Sequence, residues 1–238
     1  MSSGFGEILA QRVAERESQI VLGLDPDPQA LWPGVHDAAR SSRADASPAW
    51  RTAVAVHVHC CAVIDAAGPA CVAIKPQLAC FERLGAPGWE ALSDVIEHAR
   101  RRGLLVIADG KRGDVPVSAR AYAQTLYERL RADMATVNPL LGRDALEPFV
   151  TTARATGAGV LVLVRTSNPG AADVQDLELA ATGQRSADRR SASTVWEHLA
   201  GFVDELGAPG VGPSGLSDVG AVVGATEPRH LARARELM

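Results

Sequence analysis

Short apolar runs alternate along the chain with longer segments in which apolar residues recur at helical spacing. The runs at residues 19–24, 70–74, 104–108, 134–137, 159–164 and 219–224 are rich in Val, Ile and Leu, the pattern of parallel strands buried on both faces. Between and after them, residues 50–67, 89–102, 118–131, 145–156, 194–206 and 228–237 have helical period. Strand followed by helix, repeated, is the signature of an α/β fold.

Each strand is followed by a polar or turn-forming cluster: Asp25-Pro26-Asp27-Pro28, Lys75-Pro76-Gln77, Asp109-Gly110-Lys111-Arg112-Gly113-Asp114, Asn138-Pro139, Arg165-Thr166-Ser167-Asn168-Pro169-Gly170 and Ala225-Thr226. In doubly wound sheets and in (β/α)8 barrels alike, ligands bind at the carboxyl ends of the strands. Function is therefore to be read from these clusters. Residues 41–47 and the polar insertion 171–193 read as surface loops, the second long enough for a mobile lid or a disordered excursion.

Composition narrows the picture. The length of 238 residues suits one barrel domain, and no repeat or linker divides residues 1–238. With 24 basic against 28 acidic residues the net charge is −4, so nucleic acid and anionic membranes are not expected partners. No apolar stretch is expected to reach the ~20 residues of a membrane span, and residues 1–12 lack a secretory pattern, which points to the cytoplasm. Cys60, Cys61, Cys71 and Cys80 fit neither a disulfide framework nor a paired zinc site and are expected to be reduced core residues.

All but two of the 24 basic residues are arginine, and the two lysines, Lys75 and Lys111, both fall in strand-end clusters. An ammonium is a compact charge able to release a proton, which a guanidinium hardly does. Asp109 and Lys111 stand two apart, so on an extended backbone both side chains leave the same face. Alternating charges beside an apolar run are costly unless they pair with one another or with a ligand. A purely structural ion pair is one reading of them. With Asp114, and with Asp25 and Lys75 at the ends of two earlier strands, they form a set of three aspartates and two lysines. Such an array suits a reaction in which negative charge leaves and a proton is delivered to the site it vacates.

The Asp109-x-Lys111-x-x-Asp114 element, with Asp25 in LGLDPDP, Lys75 in AIKPQ, Ser167 in VRTSNPG, and the stretches TVNPLLG and AVVGAT, closely resembles the orotidine 5'-phosphate decarboxylases, in particular their longer bacterial subgroup. The similarity runs from about residue 19 to residue 238. The Asp-x-Lys-x-x-Asp element alone is shared with 3-keto-gulonate-6-phosphate decarboxylase; the combination is more specific. The resemblance implies a dimeric, phosphate-binding (β/α)8 barrel that converts orotidine 5'-phosphate to uridine 5'-phosphate and carbon dioxide in pyrimidine biosynthesis. It implies no metal and no organic cofactor. Lys111 would protonate the pyrimidine carbon that loses its carboxylate, and Asp109 would lie against that carboxylate. Lys75 and Asp25 would hold the ribose hydroxyls and the charge network, and Ser167 would contact the pyrimidine edge. Asp114 would reach into the active site of the partner in a homodimer.

Six strands are found where the family barrel has eight. The last two strand-helix units, which in the family grip the substrate phosphate, are expected to be missing before Met238, leaving a chain that is C-terminally incomplete or not fully active. Gly210-Val211-Gly212-Pro213-Ser214-Gly215 matches G-x-G-x-x-G, but it follows a helical segment and Pro213 removes an N–H, so a turn is expected instead of a phosphate cradle. His57 and His59, two apart on a helix, face different ways and are expected to serve packing or face solvent instead of holding a metal. The rival readings are a magnesium-dependent sugar-phosphate decarboxylase, a Schiff-base aldolase and an inactive nucleotide-binding fragment.

Overall fold

Strands form where the Val- and Ile-rich runs lie: β1 (Val21–Leu24), β2 (Ala73–Pro76), β3 (Leu105–Arg112), β4 (Met134–Val137), β5 (Gly159–Arg165) and β6 (Val219–Val223). The structure is a computed structural model that describes residues 4–37, 47–179 and 194–238. The strands follow one another in the sheet in sequence order, β1 through β6. Pairing is parallel where Val21 lies beside Ala73, Ala73 beside Leu105 and Val160 beside Val219. A doubly wound sheet reverses its order at a switch point, whereas an unbroken sequential order is the topology of a (β/α) barrel.

The helices are α1 (Phe5–Arg16), α2 (Pro48–Ala67), α3 (Leu78–Glu82), α4 (Ala86–Arg101), α5 (Pro116–Ala123), α6 (Arg143–Thr156), α7 (Val195–Gly207) and α8 (Pro228–Leu237). Local chemistry sets their ends. Ser47 accepts the Trp50 N–H at 3.2 Å at the start of α2, and Thr194 with Glu197 forms a reciprocal capping box on α7. Gly157 ends α6 in the left-handed region at φ 74°. The segment expected as one helix over 118–131 is α5 followed by a π-helical stretch, Gln124–Arg129.

The chain divides into two compact units. One comprises Leu9–Gly110 and Gln124–Ala135, with Ile64, Ile74, Leu78, Phe81, Leu92 and Val106 fully buried. In it α2 packs on α4, where the Asp65 carboxylate pairs with the His98 ring at 2.8 Å and accepts from the Arg102 guanidinium at 2.7 Å. The other comprises Met1–Ile8, Lys111–Ala123 and Thr136–Met238, with Leu146, Phe149, Val162, Val164 and Val203 buried, α5 against α6, and α7 against β5 and β6.

Two expectations change. Pro48–Ala70, which is α2 and the turn after it, is long and apolar enough by length and composition to cross a membrane, contrary to the reading that no stretch is. Its polar residues are spaced widely enough to leave the average apolar, while one face, with Ala53, Val56, Cys60 and Ile64, is buried, and its Asp65 pairs with His98 of α4 and with Arg102 just past it. Of the loop expected over 171–193, the described part begins as a 3-10 turn, Pro169–Asp173, and the remainder lies outside the described residues, as does the loop over 41–47 except Ser47.

Candidate active site

In the unit of Leu9–Gly110, the end of β2 delivers Lys75 to the buried Asp109 of β3. The Lys75 ammonium donates to Asp109 Oδ2 at 2.9 Å, and the Gln77 carboxamide donates to the same oxygen at 3.3 Å. Asp109 is 4% exposed, so its charge is tolerable because an ammonium and an amide replace the water it has lost. Gln77 is placed by its main chain: its N–H donates to Leu24 O at 2.9 Å, and its Oε1 caps α3 by accepting from the Ala79 N–H at 3.4 Å.

Asp25 follows Leu24 directly and is exposed. Arg83 shapes its loop, donating to Pro26 O at 2.8 Å and lying 3.6 Å from the Asp27 carboxylate. Among the described residues Asp25 makes no ion pair with Lys75, whose ammonium is on Asp109.

In the other unit, β3 continues through Lys111 and Arg112, which had read as a turn-forming cluster. Lys111 is exposed and has φ 47°, a conformation uncommon for a residue with a Cβ. The extended-strand argument that Asp109 and Lys111 leave one face therefore does not apply, because the backbone at Lys111 is not extended. The Lys111 N–H donates to Thr136 Oγ1 at 2.9 Å, and one step on the Asn138 N–H donates to Arg112 O at 2.8 Å. A Cβ on Gly113 would sit 2.9 Å from Asn138 O, so the close approach of these strand ends requires glycine there. Asp114 is half-buried, and its Oδ1 accepts the Val115 N–H at 2.7 Å at the entrance to α5.

Ser167 is exposed on the loop after β5. That loop is clamped by Arg165, which is 8% exposed and donates to both oxygens of Asp176, at 2.8 and 2.9 Å. Hydrogen bonding from Arg165 holds the Asp176 carboxyl below the usual carboxylate range. The Thr166 N–H donates to Gln175 Oε1 at 2.8 Å, and a Cβ on Gly224 would lie 2.8 Å from Ser167 Cα, so the end of β6 touches this loop.

Sequence reasoning missed Gln77 and Thr136. Gln77 was visible in the AIKPQ stretch as a polar residue one step past a strand. Thr136 carried no signal beyond a β-branched residue in a strand. The G-x-G-x-x-G stretch is a turn, as expected, and the Glu7 carboxylate accepts the Ser214 N–H at 2.7 Å. His59 Nδ1 accepts the Trp32 N–H at 3.2 Å, and burial lowers the pKa of both His57 and His59. Among the described residues no group of three or more His, Cys, Asp or Glu is disposed to hold a metal ion. All four cysteines are free, and burial pushes the Cys60 thiol up to about 12 and the Cys61 thiol to about 11.

The model of the orotidine 5'-phosphate decarboxylase / HUMPS family matches residues 18–236. An orotidine 5'-phosphate decarboxylase of Rhodopirellula baltica is 37% identical, over 98% of this chain and 74% of that protein. The solved structure of a Leishmania donovani OMP decarboxylase is 33% identical with a TM-score of 0.70, covering 98% of this chain and 75% of that one. That of a Leishmania donovani UMP synthase is 33% identical with a TM-score of 0.71, and this chain spans 42% of it. The sequential strand order and these likenesses agree on the barrel class expected from the sequence. By the extent of the match and the identity to its relatives, the chain belongs to the orotidine 5'-phosphate decarboxylase / HUMPS family.

Proposed function

We propose that the chain decarboxylates orotidine 5'-phosphate to uridine 5'-phosphate and carbon dioxide, a step of pyrimidine biosynthesis, with Lys111 as the proton donor. The observation that carries the reading is the buried Asp109 carboxylate fixed by Lys75 and Gln77, on the strand that also presents Lys111. Breaking the bond to the departing carboxylate leaves its electron pair on the pyrimidine carbon. An ammonium at that carbon stabilises the developing carbanion more than it stabilises a substrate whose charge lies elsewhere, and then transfers its proton there. Lys111 regains a proton from solvent.

The other roles are those that the family resemblance implies. Asp109 is fixed in advance and lies against the substrate carboxylate, so departure of carbon dioxide relieves a repulsion. Lys75 and the exposed Asp25 meet the ribose hydroxyls, and Ser167 meets the pyrimidine edge from the clamped β5 loop. Asp114 serves the partner's site in a homodimer. Support for that interface comes from Val115, Val117, Leu140 and Leu141, which flank the ends of β3 and β4 and are 55%, 80%, 77% and 51% exposed. The chain acts as one barrel domain, because the division between its compact units falls inside β3 and inside β4, not in a linker. The reaction needs neither metal nor cofactor, and takes place in the cytoplasm without nucleic acid or membrane.

The test follows the loss of absorbance on incubation with orotidine 5'-phosphate, with and without a chelator, beside Lys111→Ala. Chelator-insensitive turnover that disappears in Lys111→Ala is expected. Loss of turnover on metal removal would favour a sugar-phosphate decarboxylase, and turnover that survives Lys111→Ala would remove the proton-donor assignment.

A further inference from the structure

Lys111 is one of three non-glycine residues with positive φ among the described residues, and it belongs to a strand, where extended backbone is the rule. Such conformations persist when their surroundings over-determine them, and they gather at functional sites. One of the contacts to the Lys111 main chain comes from a side chain. Thr136 of β4 is 2% exposed, and its hydroxyl accepts the Lys111 N–H at 2.9 Å. One residue further the pairing is main chain to main chain, from the Asn138 N–H to Arg112 O at 2.8 Å. Thr136 thus accepts through its side chain where a carbonyl would accept in an ordinary strand ladder.

We propose that Thr136 is a positioning residue for the decarboxylation: its hydroxyl holds the Lys111 backbone in the left-handed conformation and so fixes where the lysine ammonium is aimed. The inference rests on Lys111 being the proton donor. A lysine side chain swings on its Cα, so a change in φ displaces the ammonium by far more than it displaces the backbone. Threonine suits the task because its β-branch restricts χ1, keeping the acceptor oxygen in place. Valine has the same shape without the acceptor, and serine has the acceptor without the extra methyl. The two substitutions therefore separate the hydrogen bond from the packing.

The experiment measures kcat, KM, the affinity for uridine 5'-phosphate and the melting midpoint in Thr136→Val, Thr136→Ser and Lys111→Ala. In Thr136→Val, kcat is expected to fall on the order of 10²-fold, the loss that a displacement of about 1 Å produces, with nucleotide affinity within about threefold of the parent. Thr136→Ser is expected to stay within about threefold of the parent kcat. The proposal is overturned if Thr136→Val keeps its kcat, if kcat and nucleotide affinity fall in step with the melting midpoint, or if Thr136→Ser is as impaired as Thr136→Val. Activity in Lys111→Ala would instead overturn the assignment on which the inference stands, so the two failures are distinguishable.

Discussion

At the scale of single residues, the chemistry asks different things of the two lysines. Lys75 is a structural cation first: the carboxylate it meets is almost wholly buried, and its ammonium sits on Asp109 Oδ2 beside the Gln77 amide. Stranding a buried charge is costly, although the third of the Lys75 side chain that is exposed lets water compensate part of it. Lys75→Met is therefore expected to destabilise the protein by about 1–3 kcal/mol, and Asp109→Asn in the same background to restore part of the loss by removing the charge that has lost its ammonium. Chemical denaturation of the two single variants and the double variant gives the coupling; additive losses would mean that the pair contributes nothing. Lys111 is exposed, so Lys111→Arg is expected to melt within a few degrees of the parent. It should nevertheless retain less than a few per cent of turnover, roughly the gap between a charge and a transferable proton. Turnover above that level in Lys111→Arg would mean that charge alone suffices.

At the scale of elements, what the sequence disclosed and what it hid have separate physical causes. Among the described residues all six strands lie on apolar runs, and β2, β4 and β5 are buried along most of their length, as strands covered on both faces are. The extent of β3 was hidden: Asp109 to Arg112 reads as a turn, yet Gln77, just past β2, bridges to Asp109, and the N–H of Asn138, just past β4, donates to Arg112 O, partners that periodicity in one segment does not reveal. Helix α1 was hidden because it buries only Phe5 and Gly6 and so shows little periodicity. Lys75, Asp109 and Lys111 were legible from their residue types alone, whereas Gln77 and Thr136 act through a bond to a neighbouring strand, and Asp25 shares a strand end with Lys75 without sharing its ion pair. The β5 loop offers an element-scale test. Because Arg165 holds the Asp176 carboxyl below its ordinary value, the stability from that contact is present above the ordinary carboxylate pKa of about 4 and is lost as pH falls through the lower folded value. Melting midpoints of the parent and Asp176→Asn should therefore differ at pH 7 and converge on acidification to about pH 3. A gap that persists at low pH would assign the effect to something other than ionisation.

At the scale of the whole molecule, the question is whether one chain holds a complete site. Asp114 makes its hydrogen bond to the next residue's N–H and lies among exposed Val115, Val117, Leu140 and Leu141, where a two-fold partner would bury apolar area and receive the carboxylate. If Lys111 of one subunit works with Asp114 of the other, Asp114→Ala and Lys111→Ala homodimers both have two defective sites. A heterodimer of the two variants carries both lesions in one site and neither in the other. Random exchange puts about half the dimers in the mixed state, so an equimolar mixture should recover about a quarter of parent activity from two nearly inactive parents. If each chain kept its own Asp114 beside its own Lys111, every site in the mixture would remain defective and no activity would return. A mixture silenced by loss of the bond from the Val115 N–H to Asp114 is a separate case, and an Asp114→Asn partner, which keeps an acceptor for that N–H, distinguishes it. Recovery that depends on time and on subunit exchange, absent when the variants are mixed at concentrations or for times too small for dimers to re-form, identifies the shared site as its source.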